Sequence, residues 1–207
     1  MGIIRNLLAI IGLVAIIGGG YAYSKFGSQM AGLKDMDMKA EVAALSELDP
    51  KAKDIYKEMW EGLKKYGNSA DATVWKVPLA EGVSKEDAEE AMKSVANELN
   101  MKGVGDLPLS DQVKAMTDQE TRFFKIYQYC DPLIAAQMIE YSDAYSAYLP
   151  CRISMVEDKE GKFNLYALNM DMMIYGGKTL PPELLKSAMG VKDKIQEIMR
   201  RGAEGDF

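Results

Sequence analysis

The stretch TRFFKIYQYCDPLIAAQMIE, residues 121–140, contains the change of rhythm on which the fold depends. Up to Cys130 it reads as a strand. Phe124, Ile126 and Cys130 share one side, Phe123, Tyr127 and Tyr129 the other, so both sides are substantially apolar. At Asp131-Pro132 the pattern becomes that of a helix start. A capping carboxylate accepts from free first-turn amides, and proline at the first helical position has its φ already set. A helix carrying Leu133, Ala136 and Ile139 is therefore predicted. Cys151 then opens a strand in LPCRISMVEDKEGKFNLYALNM, residues 149–170. This segment turns at Glu157–Gly161 and returns as the second arm of a β-hairpin.

Working outward, TVWKVPL (73–79) is rich in β-branched and aromatic residues and is ended as a strand by Pro78. Ser84 and Asp87 have capping-box spacing before a helix whose apolar face is Ala88, Met92, Val95 and Leu99. MKGVGDLPLS (101–110) reads as a turn and a short extended piece broken by glycines and Pro108. TLPPELLKSAMGVKDKIQEIMRR (179–201) supplies a last helix, restarted or kinked near Gly190. The order from residue 73 to 207 is strand, helix, short strand, strand, helix, strand, strand, helix. One hairpin in an otherwise crossover-connected chain argues an α+β two-layer sandwich, a small mixed sheet with helices packed on one face.

Before this domain the chain differs in character. Arg5 and the α-amine precede an uncharged run from Leu7 to Ser24, close to the roughly 20 residues a transmembrane helix needs. Residues 1–25 are expected to be a membrane anchor. The protein would then be single-pass in the cytoplasmic membrane, with its C-terminal domain in the periplasm or outside. A cleaved signal peptide is the alternative, since Gly20 and Ala22 are small, but the run exceeds the usual signal h-region of about 7–15 residues. Ala15/Gly19 and Gly18/Ala22 have the small-xxx-small spacing that packs helices, which points to a homo-oligomer. Residues 26–70 read as a helical tether. Within it Asp49-Pro50 opens a helix with an apolar stripe of Ile55, Met59, Leu63 and Tyr66, flanked by Tyr56 and Trp60. That face is expected to pack on the domain behind it, on the membrane surface, or on a protein partner reached through residues 26–66.

Composition narrows the chemistry. The 207 residues include no histidine, which removes histidine-based triads, histidine zinc sites and C-x-x-C-H haem attachment. A net charge of −6 without a basic stripe disfavours nucleic acid. No G-x-x-x-x-G-K-[ST] phosphate loop is present. The acidic pairs Glu140/Asp143 and Glu157/Asp158 read as surface.

Three motifs together resemble one family. Cys130-Asp131-Pro132 stands at a helix start, Leu149-Pro150-Cys151 enters a strand, and Glu157, Asp158 and Gly161 form an acidic turn before the next strand. The segment from about residue 73 to 199 is similar to the family catalogued as domain of unknown function 302. In that family an amide usually follows the first cysteine, where this chain has Asp131. The resemblance implies a small α+β sandwich and brings no activity, cofactor or metal with it.

The two cysteines carry the remaining question. Cys130 lies one residue before the helix cap, where amide donors favour a thiolate; burial and the Asp131 carboxylate oppose it. With the strands of Cys130 and Cys151 parallel, the thiols lie at opposite ends of a strand of about 23 Å, too far for a disulfide. A short helix, with YSDAYSAYLP running back to the same end, would instead bring them together. Tyr141, Tyr145 and Tyr148, spaced by four and three, suit a pocket wall or an aromatic core edge. The candidate ligand-binding set is Cys130, Asp131, Pro132, Tyr145 and Cys151. Met170, Met172 and Met173 in NMDMMIYGG, and Met36 with Met38, raise a Cu(I) reading against the default of methionine as core filler. The leading expectation is a non-catalytic accessory or ligand-binding module of an envelope assembly. The alternatives are a thiol-dependent redox enzyme or sulfur carrier using Cys130, and Cu(I) binding.

Overall fold

The computed structural model describes residues 37–207 together with Gly19, Gly20, Tyr21, Ser24 and Gly27. The expected membrane span falls almost entirely outside the described residues, among which no helix is long and apolar enough to cross a membrane. The chain divides between Glu47 and Leu48 into two compact units. In the first, helix α1 (Met38–Ser46) begins where the Asp37 carboxylate accepts from the amides of Lys39 and Ala40.

The second unit runs α2 (Ala52–Tyr66), α3 (Ser69–Thr73), β1 (Val74–Pro78), α4 (Lys85–Glu98), β2 (Lys102–Leu107), α5 (Leu109–Thr117), β3 (Phe124–Cys130), α6 (Pro132–Tyr141), a 3-10 segment (Asp143–Tyr148), β4 (Cys151–Glu157), β5 (Phe163–Leu168), α7 (Asp171–Tyr175) and α8 (Pro182–Glu204). The strands form one sheet in the order β1-β5-β4-β3-β2, with every neighbouring pair antiparallel. The fold is α+β, but the sheet is not mixed. The expectation that β3 and β4 run parallel fails because the connection between them curls back on itself. Helix α6 has ten residues, about 15 Å, and the 3-10 segment after it has six. The chain re-enters the sheet at the end it left, and Tyr129 pairs with Cys151.

The two sides of the sheet differ. Tyr127, Ile153 and Leu165 share a side and are buried, in one core with Met92 and Val95 of α4 and Ile195 and Ile198 of α8. Ile126, Ser154 and Tyr166 share the other side and are only half-buried. Helices α4 and α8 approach so closely at Gly202 that a β-carbon there would overlap Met92 Cγ. Helix α8 runs unbroken for 23 residues through Gly190, so it does not restart there. A β-carbon at Gly190 would meet open space, and one interior glycine costs a helix only about 1 kcal/mol. At the other end of the unit, α2 starts at Ala52 rather than at Asp49-Pro50. Asp49 instead ties the chain before α2 to the loop after α7. Its amide donates to Gly177 O at 2.8 Å, and its carboxylate accepts from the Thr179 hydroxyl at 2.8 Å. Tyr56 adds a hydrogen bond to Gly176 O at 2.7 Å.

A carboxylate joins α4 to the sheet. Glu89 accepts from Lys125 Nζ at 2.8 Å, from Lys93 Nζ at 2.6 Å and from the Tyr127 hydroxyl at 2.9 Å. Burial alone would raise its pKa. The hydrogen bonds from Lys125, Lys93 and Tyr127 outweigh burial and hold the carboxyl at about 2. A group whose pKa is depressed on folding stabilises the fold above its unfolded value and loses that contribution as pH falls through the folded one. The contribution should be complete above about pH 4.5 and largely gone near pH 2. After a discount for partial exposure it amounts to about 2 kcal/mol. Denaturant unfolding of wild type and Glu89→Gln between pH 7 and pH 2.5 checks this. The wild type should lose that stability over the interval and the variant should not; equal slopes would contradict the assignment.

Candidate functional site

The antiparallel order puts the end of β3, the start of β4 and the end of β5 at one end of the sheet. Helix α6 and the 3-10 segment begin and finish there, because Asp131 caps α6 immediately after Cys130. A cavity of about 310 Å³ lies among these elements. Ile134, Ala135 and Met138 of α6 line it, with Tyr145 and Tyr148 of the 3-10 segment. Ala188, Val191 and Ile195 of α8 contribute as well. The strands add Ile126, Tyr166 and Leu168 from the half-open side and Cys151 and Ala167 from the helix-covered side. Tyr148 and Leu168 are exposed and form part of the rim.

Four of the five expected site residues meet here. Cys130, Asp131, Tyr145 and Cys151 all line the cavity; Pro132 does not, and serves as the first residue of α6. Asp131 already has partners. One oxygen accepts from the Ile134 amide at 3.3 Å, and the other lies 3.5 Å from Lys194 Nζ on α8. It therefore holds α6 against α8. The Tyr145 hydroxyl donates to Met173 O at 3.3 Å, and its ring sits 6.1 Å from Tyr141 and 6.4 Å from Tyr148.

Both cysteines are free thiols, and both are half-buried; for Cys130 this is more open than its phase with Phe124 and Ile126 suggests. Burial and then the Asp131 charge push the Cys130 thiol above its ordinary pKa. Burial pushes Cys151 up to about 11, with a smaller upward contribution from Cys130 and an opposing one from Arg152. At neutral pH the pair is present as thiols.

Sequence reading misses several lining residues. Arg152, Ser154 and Tyr166 lie on the half-open side of the sheet, and Ala188, Val191 and Ile195 come from α8. Only the tertiary arrangement brings them to Cys130. Arg152 is exposed, and among the described residues it has no ion-pair partner. The site is thus a largely apolar hollow that also holds the Arg152 guanidinium, the hydroxyls of Tyr145, Tyr148, Ser154 and Tyr166, the already paired Asp131 carboxylate and two protonated thiols. Among the described residues no three His, Cys, Asp or Glu side chains group as a metal site. A second hollow, about 850 Å³, lies between Trp75 of β1 and Arg200 of α8. Of its two cations, Arg200 is held by Glu197 and Glu204, and Lys76 stands 5.6 Å over the Tyr166 ring, which leaves the first cavity as the better site.

A family model described as domain of unknown function DUF302 matches residues 75–202. Three solved chains match. One is the crystal structure of an uncharacterized conserved DUF302 protein from Bacillus stearothermophilus, with a TM-score of 0.51 at 13% identity. The match covers 62% of this chain and 97% of that one. No curated protein matches.

The thiol state yields a direct test. With Cys151 at about 11 against an ordinary 9.0, its thiolate at neutral pH is about 100-fold scarcer than that of an unperturbed thiol. Iodoacetamide should alkylate Cys151 about 100-fold more slowly in the folded protein than in urea at pH 7.5, with the site located by peptide mass. Equal rates in the two states would contradict this.

Proposed function

The chain belongs to the DUF302 family, whose description names no activity, and from that premise we propose that it is a non-catalytic module binding a small, largely apolar ligand with an anionic group. The observation that carries this reading is the cavity of about 310 Å³, within the range of small-molecule sites, with apolar walls and Arg152 free at its edge. An apolar body would fill the space between α6, α8 and the sheet. An anionic group would meet the guanidinium, the one charged group there without a partner among the described residues. The thiol-enzyme alternative needs a thiolate, and burial holds both cysteines protonated.

The proposal retains the placement argued from sequence. The uncharged run from Leu7 to Ser24 anchors the chain, and the domain faces the outside of the cytoplasmic membrane as part of an envelope assembly. In mild detergent the full chain is expected to self-associate through that segment or to carry a protein partner.

Anilinonaphthalene sulfonate, an apolar anion that fluoresces on leaving water, tests the site. It should bind the wild type saturably. Arg152→Ala should weaken binding about tenfold, the worth of one charge-assisted contact of about 1.4 kcal/mol. Ser154→Phe, on the half-open side of the sheet, should fill the cavity and abolish binding. Equal affinities in all three would overturn the reading.

A further inference from the structure

We propose that the same cavity holds a site for Cu(I), built from the sulfur atoms of Cys130, Cys151, Met138, Met170 and Met173. The inference rests on the ligand-binding reading only for the cavity itself; it needs the sulfurs rather than the apolar walls.

Cys130 ends β3, Cys151 begins β4, and Met170 follows the end of β5, so three sulfur-bearing residues gather at one end of the sheet. Met138 comes from the last turn of α6, and Met173 lies three residues beyond Met170, one helical turn on. All five line the one cavity. The methionine cluster that stands out in the sequence is divided by the fold. Met170 and Met173 belong to the cavity, whereas Met172 does not line it and packs against Gly176.

The chain has no histidine to offer. The single carboxylate in the lining, Asp131, is already used by the Ile134 amide and Lys194. Zinc, calcium and magnesium sites need imidazole or oxygen ligands, or a full set of thiolates. A donor set of two thiols and three thioethers suits a soft monovalent ion, Cu(I) above all. No change of oxidation state is involved. Each cysteine that binds exchanges its proton for the metal, the proton passes to solvent, and copper stays Cu(I).

The test is an oxygen-free titration of the reduced, full-length protein in mild detergent with Cu(I), against the chromophoric chelator bicinchoninate. One equivalent should be withdrawn from the chelator. Cys151→Ser should abolish uptake. Met170→Leu with Met173→Leu, close to volume-conserving, should weaken it at least tenfold. The methionine variant decides the matter even if the cysteine variant fails to fold. No withdrawal, or withdrawal with unchanged affinity in the methionine variant, overturns the site. Anilinonaphthalene sulfonate binding to the copper-free wild type reports separately on the ligand-binding reading. Probe binding without copper uptake would therefore remove the metal site alone.

Discussion

Ten residues of α6 and six of the 3-10 segment must carry the chain from the end of β3 to the start of β4, and they never leave that end of the sheet. A crossover to a parallel strand would have to travel back the length of β4, about 23 Å for seven residues. The connection does not make that journey: α6 is followed by a 3-10 segment that curls back, and the chain re-enters at the end it left. From it follow the antiparallel order, the meeting of Cys130 with Cys151, and the hollow that α6 and the 3-10 segment enclose.

Two kinds of interaction keep the sheet and its helices in place. On the helix-covered side, Ile153, Leu165 and Tyr127 are buried against α4 and α8, and Glu89 adds a charged tie to the Tyr127 hydroxyl and Lys125. Near the cavity the ties are fewer and polar. Asp131 links the α6 cap to Lys194, and Tyr145 reaches the backbone at Met173. Beside these ties the lining includes side chains as small as Ala135, Ala167 and Ala188. Arg152 is exposed at its edge, and among the described residues it is the one charged group of the lining without an ion-pair partner; most of the remaining lining is apolar.

The fold class is legible in the sequence because it depends on local signals. The Ser84/Asp87 capping box and the Asp131 cap form as read, and the strands from residues 73, 121 and 151 lie where their alternation puts them. What is not legible depends on distance in space. The direction of β4 relative to β3 turns on whether YSDAYSAYLP continues a helix or curls back, and tyrosine spacing of four and three fits both. Helix α5 goes unread because it follows Pro108 with no side-chain cap to announce it. The apolar character of both sides of β3 hides which side the helices cover; burial of Tyr127 and Tyr129 decides it. Of the site, the residues near Cys130 and Cys151 are accessible to motif reading. Arg152, Ser154 and the α8 wall are not, since nothing local links them to a cavity.

The most direct measurement is thiol bridging in the folded protein. Dibromobimane links two cysteines only when they are close, and becomes fluorescent when both ends have reacted. At mildly alkaline pH, the structure predicts one bridged product, with peptide mass showing Cys130 joined to Cys151. Two singly modified thiols with no bridge would mean that β3 and β4 do not meet as described, and the cavity between them would go as well.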